Sequence, residues 1–144
     1  MELYTNTITS CLQHRVFFNH PVTGVKSDTW VDVLSPESEA RQRLFQDAMR
    51  GYQQEIKDGV VPQPSFKVEY DYDTDRIVAS VVGWNFKAQK LDGVIVPIEF
   101  DAGMVRSFFT DKEHAWRRRQ LLREMDKAEN FIIDSTPTYC APQG

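Results

Sequence analysis

Apolar positions follow a strand period in the first third of the chain and a helix period after it. Val16-Phe17-Phe18 and Thr29-Trp30-Val31-Asp32-Val33-Leu34 form two arms rich in β-branched and aromatic residues. Between them, His20-Pro21-Val22-Thr23-Gly24 supplies turn chemistry, so the pattern predicts a β-hairpin. In the second arm Trp30, Asp32 and Leu34 fall on one face and Val31 and Val33 on the other. An isolated hairpin is marginally stable, so a helix is expected to cover one of these faces.

The period then changes. Ser35 is placed to cap a helix and Pro36 to occupy its first position, where a missing N–H costs nothing. Glu37 and Glu39 suit the positive end of the helix dipole. Ala40, Leu44, Phe45, Ala48, Met49, Tyr52 and Ile56 recur every three to four residues and form one stripe. Gly51 weakens this helix slightly. Asp58-Gly59 ends it, and Pro62 and Pro64 prevent a restart. The expected helix covers 36–57.

Two readings coexist over 66–86. Phe66, Val68, Tyr70 and Tyr72 alternate with charged residues as in a half-buried strand, whereas Ile77, Val78, Val81 and Val82 recur with helical spacing. Further on, Leu91-Asp92-Gly93 reads as a turn and Val94 to Phe100 as a short extended segment interrupted by Pro97. Asp101 is placed to cap a helix over 102–109. Thr110 with Glu113 forms a capping-box pattern opening a long helix over 111–133, which buries Leu121, Met125, Ala128 and Ile132. The whole predicts an α+β fold, an N-terminal β-hairpin packed on a mostly helical single domain over 1–136, with 137–144 a flexible C-terminal tail.

Composition narrows the function without naming it. The chain has 144 residues, enough for one core without a metal or disulfide staple. Its net charge of −4 argues against a nucleic-acid partner. No apolar run approaches a membrane span and the N-terminus lacks a signal-peptide pattern, so no membrane partner is expected. Cys11 and Cys140 have no paired spacing of a disulfide framework, which agrees with a reducing cytoplasm.

Candidate chemistry is sparse. Asp71, Asp73 and Asp75 begin like a calcium loop, but Arg76 stands at the turn glycine and Val82 at the bidentate glutamate. They read as a solvated acidic face. Cys11, His14 and His20 are too few for zinc, with Cys140 and His114 remote. Arg117-Arg118-Arg119 with Arg123 is a dense basic run. On a helix the three consecutive arginines fan over about 200° and cannot line one groove. No nucleophile elbow, Walker loop or dinucleotide fingerprint is present. The reading is a non-enzyme with no metal and no cofactor, whose many aromatic side chains favour binding of a partner.

One further pattern carries a resemblance. Val81-Val82-Gly83-Trp84-Asn85-Phe86, Gly93, Pro97-Ile98-Glu99-Phe100-Asp101, Val105, Trp116 and Ala128-Glu129-Asn130-Phe131 follow one another in order. The chain in this respect resembles the tail assembly chaperones of long-tailed bacteriophages over about residues 66–133. Ile98-Glu99-Phe100 departs from the more usual Pro-Phe-Thr run of that family. The resemblance implies a helix over 68–82 stopped by Gly83, with Trp84, Pro97 and Phe100 as structural motif residues. It implies transient binding of the tape measure protein in the host bacterial cytoplasm, which keeps that protein soluble until the tail tube polymerises, and absence from the mature virion. The tail tube protein and a second copy of the chain are further partners it suggests. On this reading the docking surface is the apolar part of the last two helices, with Trp116, Arg117, Arg118, Arg119 and Phe131. The alternative is a structural tail completion or connector subunit retained in the particle.

Overall fold

The computed structural model describes residues 8–134 apart from 62 and 64. The predicted tail, 137–144, lies outside the described residues.

The hairpin is present: β2 (Gln13–Asn19) pairs antiparallel with β3 (Lys26–Leu34). The alternation assigns its faces as expected, with Val16, Phe18, Val31 and Val33 buried on one side. On the opposite side Asp32 accepts from Arg15 Nε at 2.8 Å and Nη2 at 3.0 Å, and the same guanidinium lies 3.5 Å from the Trp30 ring centroid. Two short ribbons accompany it. β1 (Ile8–Ser10) pairs with β7 (Ile132–Asp134), and β5 (Lys87–Gln89) pairs with β6 (Ile95–Pro97).

Helix α1 (Glu39–Lys57) starts three residues later than predicted. Ser38, not Ser35, accepts from Arg41 N. Ser35 is buried, and its hydroxyl accepts from Glu37 N in the preceding turn, so Pro36 sits in the turn and not in the helix. The stop at Asp58-Gly59 is as expected, with Gly59 at φ +82°.

The ambiguous stretch contains both structures in succession. Helix α2 (Phe66–Ser80) is capped by Ser65, and strand β4 (Val81–Trp84) follows without a loop and pairs antiparallel with β3. The strand-like alternation at its start is overridden by that cap and by the Lys67–Asp71 pair one turn apart. The helix ends two residues before the predicted boundary, because Val81 turns extended to join the sheet. Gly83 is therefore a strand residue opposite Asp32 and not a helix stop.

Helix α3 (Ala102–Thr110) is capped by Asp101, which accepts from Met104 N at 2.8 Å. The predicted long helix over 111–133 is broken into a 3₁₀ turn (Lys112–His114), helix α4 (Ala115–Glu124), a second 3₁₀ turn (Ala128–Phe131) and β7. The Thr110/Glu113 box does not form: Thr110 Oγ1 donates back to Arg106 O, and Asp111 accepts from Glu113 N. The later break has a geometric reason. Ile132–Asp134 runs extended to pair with β1, which a helix continuing to 133 would not allow. Asn130 Nδ2 donates to Glu124 O at 2.9 Å and satisfies the helix end.

The core joins the inner face of the hairpin to Ile77 of α2, Val105 and Phe109 of α3, and Leu121 of α4, with Val81, Phe86, Met125 and Phe131. This is the expected α+β arrangement. α1 contributes no fully buried residue to it.

Candidate functional site

α1 is fastened to the rest of the molecule mainly by polar contacts near its start. Arg41 donates to Met125 O at 2.7 Å and to Leu34 O at 3.2 Å, and it pairs with Asp126. Asp126 also takes Arg76 of α2, so one carboxylate ties α1, α2 and the end of α4 together. Burial pushes the Asp126 carboxyl up, but hydrogen bonds and charge from Arg76 and Arg41 outweigh it and hold the group below its ordinary value.

The apolar stripe read from the sequence forms, but it faces solvent. Leu44 is half-buried, while Phe45 is 53% exposed, Met49 40%, Tyr52 48% and Ile56 53%. Val60, Val61, Phe66 and Val68 are exposed as well, through the following connection and into α2. An amphipathic helix ordinarily turns its apolar stripe to the core. Scattered exposed apolar residues need no explanation, whereas these follow one another along one helix and the connection after it. Periodicity predicted the stripe and could not tell which way it points.

The surface expected on the last helices is differently placed. Trp116 is partly buried with its ring edge-on to Phe18 at 6.5 Å. Phe131 is buried in the core and meets His14 edge-on at 5.8 Å. The arginine run fans out as the helix geometry requires. Arg117 is half-buried, donates to His114 Nδ1 at 2.9 Å, and leaves its Nε without a partner. Burial lowers the Arg117 pKa, and burial and then the Arg117 charge lower that of His114. Arg118 turns inward, and Arg119 is exposed. These five residues do not share one open face.

Arg118 is only 6% exposed. Its guanidinium donates to Thr74 Oγ1 at 2.8 Å, Tyr70 O at 2.9 Å and Phe109 O at 3.2 Å, and lies 3.7 Å from the Tyr70 ring centroid. It braces α2 against α3, a role the charge pattern alone did not show. The motif residues cluster more tightly. Trp84 Nε1 donates to Ile98 O at 3.0 Å, and its ring meets Phe100 edge-on at 5.3 Å. Phe86 and Phe108 stack beside it at 4.3 Å. Pro97 lies in β6 opposite Lys87.

The remaining candidates resolve into structure. Asp71, Asp73 and Asp75 pair with Lys67, Arg76 and Arg106, respectively. Among the described residues no group of three or more His, Cys, Asp or Glu could hold a metal ion. His20 Nδ1 accepts from Val22 N and Thr23 N at 3.1 Å and closes its turn. Cys11 is buried and disulfide-bonded, which corrects the reading of the cysteines as those of a reducing cytoplasm. Cys140 lies outside the described residues. Among those residues no helix is long and apolar enough to cross a membrane. No protein family, curated protein or solved structure matches the chain.

Proposed function

We propose that the chain is an interaction protein, a tail assembly chaperone of the long-tailed bacteriophage type, and that α1 is its docking face. The observation that carries this reading is the 19-residue α1, which buries none of its residues fully and exposes Phe45, Met49, Tyr52 and Ile56. A helix of this kind suits an apolar-striped helical partner, which it would shield from aggregation and release on displacement. The resemblance over 66–133 supplies the identity of that partner, the tape measure protein. The exposed stripe supports α1 and the start of α2 as the docking surface in place of the last helices.

The disulfide at Cys11 weighs against the host cytoplasm as the working compartment, because cytoplasmic thiols are kept reduced. The thiol state of protein taken from infected cells tests that placement.

The function is tested by co-expression with the tape measure protein of the same genome. The expected result is co-purification and a gain in soluble tape measure protein, both lost with Phe45→Glu plus Ile56→Glu. A well-folded chain that leaves the tape measure protein insoluble and unbound would remove the chaperone reading. Mass spectrometry of purified virions separates the alternative: a structural tail subunit is present in ring-like copy number, and a chaperone is absent.

A further inference from the structure

Between the start of α2, the end of α3 and α4 lies a cavity of about 580 Å³, within the range of small-ligand sites. Phe66, Tyr70, Phe109, Ala115 and Leu122 give it apolar walls, and Arg118 lines it from within the protein. Arg118 is nine-tenths buried, yet its three acceptors are two backbone carbonyls and a hydroxyl. Among the described residues no carboxylate lies within ion-pair distance of it.

Three acids also line the cavity, and none of them pairs with Arg118. Asp73 pairs with Arg76, the Asp111 carboxylate accepts from Glu113 N, and Glu69 is exposed and makes no ion pair with Arg118. Lys112 and Arg119 line the cavity too, so with Arg118 three cations stand against Glu69, Asp73 and Asp111. A buried charge is ordinarily matched by an opposite one, because removing it from water is costly. A guanidinium has five N–H donors in a fork that fits a carboxylate. Three are used by Thr74, Tyr70 and Phe109, leaving two N–H groups.

We infer that this cavity binds a carboxylate carried on an apolar or aromatic body, with Arg118 as its counter-charge and Phe66, Phe109 and Leu122 around the body. Phe66 belongs both to this cavity and to the exposed run proposed for docking, so the acid–amide comparison and the Arg118 signal separate the two readings. The ligand chemistry is common to a free aryl or alkyl acid and to the C-terminal carboxylate of a chain ending in an apolar residue.

The test uses the full chain with 3-phenylpropionate and, as control, 3-phenylpropanamide, followed by calorimetry and by the ¹⁵N–¹H signal of Arg118 Nε. The acid is expected to bind at least tenfold more tightly than the amide and to shift the Arg118 signal. Phe66→Ala, at an exposed wall position, is expected to weaken binding several-fold with melting unchanged. Indistinguishable acid and amide, or a stationary Arg118 signal, would overturn the inference. Arg118→Met adds a direct arm: if it melts cooperatively and still binds the acid like the parent, the inference fails. If it does not fold, the acid–amide comparison and Phe66→Ala decide. Tighter binding of N-acetyl-Gly-Phe than of 3-phenylpropionate assigns the source to a chain terminus, and the reverse order assigns it to a free acid.

Discussion

Neighbouring arginines on one helix end up with opposite duties here, and the difference is measurable. Arg118 supplies buried acceptors on two other helices, whereas Arg119 stands in solvent. Arg118→Met takes a donor from Phe109 O and the Thr74 hydroxyl, while Tyr70 O keeps the Thr74 hydroxyl. It is expected to cost about 3 kcal/mol, since charged hydrogen bonds and unsatisfied buried groups each contribute about 1–3 kcal/mol. Arg119→Met should stay within about 0.5 kcal/mol, as for most surface changes. Urea denaturation of the two variants checks both.

Acid dependence also belongs to single residues. Burial lowers the His14 pKa from 6.5, against the raising effect of Glu124 and Asp32, so the folded protein binds that proton less readily than the unfolded chain. Its contribution to stability is whole above 6.5 and declines as the pH falls below it. Asp126, whose ordinary value is 3.8, is likewise depressed in the folded state, so its contribution declines as the pH falls below about 4. Melting temperature is therefore expected to fall in two stages on acidification. Asp126→Asn should reduce the lower stage, which Glu124 shares, and His14→Gln the upper one, which His114 shares, as thermal melts across pH 3–8 would show.

At the scale of elements, α1 behaves as an appendage anchored near one end. Phe45→Glu plus Ile56→Glu should leave stability within about 1 kcal/mol, because both positions are exposed surface sites. Amide exchange is expected to be faster along the second half of α1 than in α2 or the hairpin, since few buried contacts hold it. Uniform protection across all four helices would refute that. Elements with local signals were legible in the sequence: the hairpin from its β-branched arms, α1 from its spacing, its end from Asp58-Gly59, and α3 from the Asp101 cap. What was not legible depends on contacts distant in the chain. Val81–Trp84 becomes a strand because β3, fifty residues earlier, offers it an edge. The last helix breaks because Ile132–Asp134 pairs with β1 at the other end of the described chain. The candidate face was visible as a stripe, but its exposure follows from where Arg41 and Asp126 fasten the helix.

For the whole molecule, the pairing of β1 with β7 sets Ile8 opposite Asp134. The first and last described strands run antiparallel, so the chain enters and leaves the fold at one place. That makes the order of its segments separable from its architecture. A circular permutant of residues 8–134 that links Asp134 to Ile8 by a short Gly-Ser turn and opens the exposed turn at Asp92-Gly93, between β5 and β6, is expected to fold and melt within a few degrees of the parent. Thermal unfolding and exchange protection of β2 and β3 would measure this. The fold is in that sense a ring of elements with a movable seam, whose two paired end strands can be joined without disturbing α1 or the Arg118 cavity.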